Sequence, residues 1–194
     1  IPTDVLESKI ESEDVKRIKI NPPLAFPEKV KEVSNLLSNA KKPVLVVGGQ
    51  VHISTRSRKL VEKVAKAHNL PVLCTYEHQD IISNDNLHYA GELGLRPPEP
   101  IRKNALEADL VLVVGHRFNG VPNMAYKFPS SKQMFIHVIP DPNTIGKIFR
   151  TDMGIVADSE NFLEQLSNFV NNSKNNERNE WIKLCHYRYL NNDA

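Results

Sequence analysis

The sequence predicts an α/β fold: an open parallel sheet of about five to six strands with helices on both faces. Two continuous apolar runs, 110–114 and 134–139, lack the alternation of polar and apolar residues that marks a strand with one wet face. Runs of this kind alternate along the chain with stretches in which apolar residues recur at helical spacing. Because right-handed crossovers place such helices on both faces of a sheet, the alternation indicates a Rossmann-like architecture.

The amino-terminal part of the chain predicts a linker, a helix and a strand. Residues 1–21 are charged and lack a sustained hydrophobic period, and the prolines at 22, 23 and 27 close them off. Apolar residues at helical spacing then predict a helix, which Pro43 ends before a strand at 44–47. The buried face of that helix comprises Val30, Val33, Leu37 and Ala40.

Strands and helices continue to alternate through the rest of the chain. A second helix is predicted from about Ser54, a short third one at 102–107, and Asp158 is placed to cap a fourth. The remaining strands are predicted at 71–76, 110–114, 134–139 and 154–156.

The carboxyl-terminal residues predict a linker and a helical tail. The asparagine-rich stretch 171–179 is expected to be flexible. Beyond it, Trp181, Leu184, Cys185 and Arg188 fall on one helical face. Such a tail is expected to dock back on the domain, bind a neighbour or fray.

Composition argues for a soluble protein of the cytoplasm without a nucleic-acid or membrane partner. The 25 basic and 23 acidic residues give a net charge of +2, and the basic residues are scattered. No apolar run is long enough to cross a membrane. Cys74 and Cys185 lie in separate apolar runs, which favours reduced thiols over a disulfide or a zinc site. The chain opens at Ile1 without a methionine, so we expect it to be a piece of a longer protein.

Candidate ligand-binding residues follow the predicted strands, where a parallel α/β sheet binds its ligands. Gly48 and Gly49 precede a helix whose amino terminus could face a phosphate, although the full Gly-x-Gly-x-x-Gly motif is absent. Arg117 offers a planar fork of donors for phosphate, and Asp141 an acceptor for a sugar hydroxyl. Asp158 follows the last strand, where it is either a further ligand contact or only a helix cap.

The histidines give no catalytic or metal-binding pattern. His52, His78, His88 and His116 are predicted in loops near strand ends, but none has a second histidine or an acid at metal-ligand spacing. His137 lies within a strand and is expected to be a satisfied core residue. We therefore predict no catalytic residue and no metal ligand in this chain.

Two longer segments carry a resemblance to a known family. Residues 36–49 read Leu-Leu-Ser-Asn-Ala-Lys-Lys-Pro-Val-Leu-Val-Val-Gly-Gly, and residues 108–118 read Ala-Asp-Leu-Val-Leu-Val-Val-Gly-His-Arg-Phe. Further matches occur at 70–72, 88–94 and Asp158. In this order, from about 22 to 170, they resemble the central domain of thiamine-diphosphate (ThDP) enzymes of the acetolactate synthase, pyruvate oxidase and oxalyl-CoA decarboxylase group.

The resemblance implies a domain of the DHS-like NAD/FAD-binding type between two catalytic domains that bind ThDP and Mg. Residues 1–21 would be the linker from the preceding domain, 22–170 the central domain, and 171–194 the linker and helical tail toward the next. The parent enzyme would be a homo-oligomeric carboligase or decarboxylase, and this piece would not be catalytic alone. Its relatives hold FAD or ADP across the strand-end loops.

Departures from the family pattern favour ADP over FAD as the ligand of this domain. Ile139 replaces an acid that could contact a ribose, Asn119 replaces a common aspartate, and Ala157 replaces a glycine. Two other functions also stay open for the chain. One alternative is an NAD-consuming enzyme related to the sirtuins, although their Cys-x-x-Cys pairs are missing. The other is a regulatory or scaffold domain that binds no ligand.

Overall fold

The computed structural model describes residues 1–9, 11, 16, 18–169 and 176–192. Its strands are β1 (Pro43–Val47), β2 (Val72–Thr75), β3 (Tyr89–Leu93), β4 (Leu110–Val114), β5 (Met134–Ile139) and β6 (Met153–Val156). Its α-helices are α1 (Thr3–Leu6), α2 (Pro27–Asn39), α3 (Gly49–His52), α4 (Thr55–His68), α5 (Glu99–Leu106), α6 (Ser159–Ser167) and α7 (Asn176–Leu190), and a 3₁₀ turn covers Pro142–Thr144.

The six strands form one parallel sheet in the order β3-β2-β1-β4-β5-β6. The predicted open parallel α/β sheet is thereby confirmed. The chain moves outward from β1 to β3, then returns to the other side of β1 for β4 to β6. The carboxyl ends of β1 and β4 therefore flank the point at which the strand order reverses, where such sheets bind ligands.

Both faces of the sheet are covered, which explains the unbroken apolar runs in the central strands. Alternate residues of β1 point to opposite cores: Leu45 and Val47 pack with α2, α4 and α6, whereas Val44 and Val46 pack with α5 and α7. Every residue of β1 and β4 is buried.

The connection from β4 to β5 covers its part of the sheet without a helix. Phe118 and Phe128 are fully buried there, with ring centroids 5.6 Å apart, and Phe118 also packs against Phe135 and Phe149. Large aromatic rings fill the volume that a crossover helix would otherwise occupy.

The carboxyl-terminal helix docks on the sheet, which is one of the outcomes expected for the tail. Trp181 is 3% exposed, and its indole N–H donates to the carbonyl of Pro43 over 3.0 Å. The amide of Asn104, on α5, donates to the carbonyl of Cys185 over 2.9 Å. Leu184, predicted on the same face, is instead 40% exposed and lies at its margin.

Arg178, in the first turns of α7, is the largest fully buried side chain in the described residues. Its guanidinium donates to the carbonyls of His68 at 2.7 Å and Ala40 at 2.8 Å, and also to the carbonyl of Leu37. These carbonyls lie at the carboxyl-terminal ends of α4 and α2. Helix ends of this kind carry unpaired carbonyls and partial negative charge, so a buried cation is well matched to them.

The structure corrects the predicted elements at three places. The strand β3 was not predicted from its residues, α5 begins at Glu99 rather than at 102, and α7 begins at Asn176, inside the predicted flexible linker. Residues 171–175 of that linker and residue 170, the last of the predicted central domain, lie outside the described residues, as do residues 10, 12–15 and 17 of the amino-terminal linker. None of the described helices is both long and apolar enough to cross a membrane.

Candidate functional site

The point of strand reversal brings the loops after β1 and β4 into direct contact. The amide of Gly48 donates to the carbonyl of Val114 over 3.3 Å, and the amide of Gln50 donates to the carbonyl of Gly115 over 3.1 Å. Gly115 has a φ of +72°, a conformation that favours glycine. The start of α3 is therefore held against the loop after β4, and two backbone amides there already donate within the chain.

The two glycines after β1 lie under histidine rings. A methyl group at Gly48 would lie 2.5 Å from Cβ of His116, and one at Gly49 would lie 2.9 Å from Nε2 of His78. Glycine is thus required at these two positions because histidine side chains of this chain pack closely against the backbone. Sequence reasoning placed both histidines near strand ends but did not assign them this packing, because nothing in their local sequence signals it.

Hydrogen bonds and burial keep His116 neutral. Its Nδ1 accepts from the amide of Phe118 over 2.8 Å, so the neutral ring carries its proton on Nε2. Burial, with a smaller contribution from His78, lowers the pKa of His116 to about 4. His137 donates from Nε2 to the carbonyl of His116 over 2.8 Å and is 3% exposed, the satisfied core position predicted for it.

The histidines at this edge do not assemble a metal centre. His52 lies 2.9 Å from a carboxylate oxygen of Asp80 and packs edge-on against His78, with ring centroids 5.4 Å apart. Across the part of the chain that the structure describes, no group of three or more His, Cys, Asp or Glu side chains could hold a metal ion.

We expect Gly48→Ala to destabilise the protein. The added methyl group would meet the Cβ and ring of His116 at 2.5 to 2.8 Å, and the backbone bond to Val114 resists their separation. Such overpacking costs about 1–3 kcal/mol. Urea unfolding followed by circular dichroism measures the loss. Gly94→Ala is the matched control, since its new methyl would meet nothing closer than 3.7 Å. Equal stability of the two variants would show that His116 moves away from the added methyl group without a cost in stability.

Arg117 is the predicted site residue whose side chain has no hydrogen-bond or ion-pair partner among the described residues. It lies in the loop after β4, behind Gly115 and His116, and is exposed at the carboxyl edge of the sheet. Its guanidinium makes no hydrogen bond or ion pair with any other described residue. Its charge still contributes to lowering the pKa of Asp141, behind the hydrogen bonds that Asp141 accepts from Asn143 and Thr144. The side chain thus offers its full set of donors to a ligand.

The two acidic candidates both have structural partners. Oδ1 of Asp141 accepts from the backbone amide of Asn143 at 3.0 Å, and Oδ2 accepts from the hydroxyl of Thr144 at 3.0 Å. Oδ1 of Asp158 accepts from the amide of Asn161 at 3.0 Å and caps α6. Asp141 therefore shapes the turn after β5, and Asp158 caps its helix while lining the cleft described next.

A cleft of about 420 Å³ opens between the amino termini of α4 and α6. Its lining includes Ser54, Ser57, Asp158 and Glu160. The carboxylate of Glu160 accepts from the hydroxyls of Ser54 at 2.5 Å and Ser57 at 2.6 Å, and these bonds help to lower its pKa. Glu160, on α6, thus places a carboxylate beside the amino terminus of α4, where the helix dipole favours negative charge.

Comparison with known proteins identifies relatives for most of the chain. The family model described as "Thiamine pyrophosphate enzyme, central domain" matches residues 30–166. A probable acetolactate synthase large subunit from Methanococcus aeolicus is 28% identical over 94% of this chain and 33% of its own length. The acetolactate synthase isozyme 1 large subunit of Escherichia coli (strain K12) is 30% identical over 95% of this chain and 32% of its own length.

Another relative and a solved structure are similar over the same part of the chain. A glyoxylate carboligase from Escherichia coli O157:H7 is 26% identical over 97% of this chain and 33% of its own length. The crystal structure of benzoylformate decarboxylase from Polynucleobacter necessarius superposes with a TM-score of 0.62 at 23% identity, over 91% of this chain and 33% of that one. The chain spans about one third of the length of these proteins.

Proposed function

The chain belongs to the thiamine pyrophosphate enzyme central-domain family, and from that premise we propose that it is the nucleotide-binding middle part of a carboligase or decarboxylase. The named relatives include an acetolactate synthase and a glyoxylate carboligase, which support a parent enzyme of the acetolactate synthase type. The alternative of an NAD-consuming enzyme related to the sirtuins is not supported by these findings.

ThDP and Mg would be held by flanking domains of the parent enzyme. The described residues offer no metal-binding cluster, and the chain covers only a third of its relatives. This domain would link the two catalytic domains within a homo-oligomer. Both cysteines, Cys74 and Cys185, are buried thiols whose pKa values burial raises, so they are inert. Free thiols of this kind fit a cytoplasmic location, which we also propose.

A nucleoside diphosphate of the ADP type is the ligand that we propose for this domain. The uncommitted guanidinium of Arg117, at the carboxyl end of β4, is the observation that carries the proposal. Gly48, Gly49 and Asp158 lie at the same edge of the sheet, at the ends of β1 and β6. A pyrophosphate there would gain a charge-assisted and bidentate contact from Arg117.

ADP is favoured over FAD because the acceptors available for a larger ligand are few. Asp141 already accepts three hydrogen bonds within its own turn. Ile139 is apolar and buried, so it provides no second acceptor beside Asp141. The contact between Arg117 and the diphosphate would then supply most of the affinity. ADP makes this contact as well as FAD does, and the flavin ring of FAD adds no further hydrogen bond.

We predict that the isolated chain binds ADP but not ThDP. In calorimetric titrations with magnesium present, ADP should bind saturably, FAD no more tightly than ADP, and ThDP not at all below millimolar concentration. The expected failure of ThDP follows from the missing flanking domains. Saturable binding of ThDP would refute the assignment of its site to those domains. Tighter binding of FAD than of ADP would make a flavin enzyme the better assignment.

A further inference from the structure

A second cleft lies on the opposite face of the sheet from α4 and α6, beside α5. It has a volume of about 350 Å³ and is formed by the segment after β3, by α5 and by the loop after β4. We call it the α5 groove, and its principal lining residues are Leu95, Arg96, Arg102, Leu106, Met124 and Lys127. Its volume falls within the range of about 300–1,000 Å³ that is typical of small-molecule sites.

The α5 groove is lined by three positively charged side chains. Arg96, Arg102 and Lys127 are all exposed, and none of them makes an ion pair or a side-chain hydrogen bond with another described residue. No carboxylate lines the groove. The one acid on α5, Glu99, is paired with Lys103 over 2.9 Å, and its pKa is lowered mainly by Lys103 and to a smaller extent by the charge of Arg102. Three cations in the lining of one groove that contains no acid attract an anion.

The walls between these cations are apolar. Leu95 is 71% exposed and Leu106 is 42% exposed, and Met124 lies beside them. Covering such side chains is favourable, at about 25 cal/mol for each Å² of apolar surface. The lining contains no Ser, Thr, Asn, Gln, Asp or Glu, so the hydroxyls of a ribose would find no side-chain acceptor there.

We propose that the α5 groove binds a small phosphorylated molecule with a hydrocarbon or aromatic body. The phosphate would lie among Arg96, Arg102 and Lys127, and the apolar body would cover Leu95 and Leu106. This ligand differs in class from a nucleoside diphosphate, and its site does not include Arg117. The proposal therefore stands or fails independently of the nucleotide at the carboxyl edge.

The test uses 1-naphthyl phosphate as the probe, titrated into the chain by calorimetry. Inorganic phosphate supplies the anion without the apolar body, and 1-naphthol supplies the body without the anion. We expect 1-naphthyl phosphate to bind at least about tenfold more tightly than either one, because only it satisfies both parts of the groove. No saturable binding would overturn the proposal and assign the groove to a protein surface.

Two variants and two controls locate the probe. Arg102→Gln and Lys127→Gln should each weaken 1-naphthyl phosphate about tenfold, through loss of a charge-assisted hydrogen bond. Lys132→Gln, at an exposed lysine before β5 that does not line the groove, and Arg117→Ala should leave its affinity unchanged. A loss with Arg117→Ala, or none with Arg102→Gln, would place the probe elsewhere and overturn the proposal.

Discussion

Replacement of Arg178 by alanine should lower the free energy of unfolding by about 3–5 kcal/mol, because each hydrogen bond to a charged group contributes about 1.5–3 kcal/mol and the abandoned carbonyls stay buried. Arg178 is 1% exposed, and its guanidinium joins the start of α7 to the ends of α2 and α4. Burial lowers the pKa of Arg178, because the charged guanidinium loses hydration there. The melting temperature should fall by roughly 6–20 °C, at about 2–4 °C for each kcal/mol in a chain of this size.

Urea unfolding with two probes measures this effect. Trp181 is the chain's single tryptophan and lies on α7, so its fluorescence reports the docking of that helix, while circular dichroism reports the whole domain. Lys183→Ala is the matched control on the same helix, since Lys183 forms an exposed ion pair with Glu180 and should contribute less than about 1 kcal/mol. If Arg178→Ala and Lys183→Ala unfold at the same urea concentration, Arg178 does not hold α7 in place.

Arg178→Lys distinguishes the effect of the positive charge on stability from the effect of the guanidinium's shape. Lysine keeps the positive charge but presents one ammonium group, which cannot reach the ends of two helices as the planar guanidinium does. We expect a stability between those of the wild type and Arg178→Ala. An additional loss of Trp181 fluorescence before the main transition would show that α7 undocks as a separate unit.

The central strands were predictable because their residues are buried on both faces. The runs 110–114 and 134–139 contain no residue that must reach water, and both became strands at those limits. β3 was not recognised, since its Gly91 and Glu92 interrupt the apolar pattern in a strand of only five residues. A glycine and an acid are poor strand formers, and their tertiary setting decides the outcome.

The helical face of the tail was predicted, but its partners were not. The spacing of Trp181 and Cys185 showed that one side of α7 would be apolar. Arg178 gave no such signal, because an arginine in a polar stretch is normally solvated. Only the three-dimensional convergence of two helix ends makes its burial favourable.

At the candidate site, sequence reasoning identified the edge of the sheet but not its local packing. Gly48 and Gly49 were predicted to admit a ligand, and the structure shows His116 and His78 against them. The hydrogen bonds of Asp141 within its turn were likewise invisible, although the Asp-Pro-Asn-Thr sequence is typical of a turn. Arg117 remains the residue on which the nucleotide proposal depends.

Replacement of Arg117 by alanine should weaken ADP binding by about ten- to a hundredfold, because a charge-assisted contact to phosphate contributes about 1.5–3 kcal/mol. Arg117→Lys should give an intermediate affinity, since an ammonium keeps the charge but lacks the planar fork. The free energy of unfolding should not change in either variant, because the exposed side chain holds no other described residue by a hydrogen bond or an ion pair.

The most direct test is a calorimetric titration of ADP into the wild type, Arg117→Ala and Arg96→Ala. Arg96 is also exposed, but it follows the edge strand β3 rather than the central strand β4, and it serves as the matched control. We predict saturable ADP binding that Arg96→Ala leaves intact and Arg117→Ala reduces at least about tenfold. Unchanged affinity in Arg117→Ala, or no binding by the wild type, would contradict a nucleotide site at the carboxyl edge and leave the chain a ligand-free central domain.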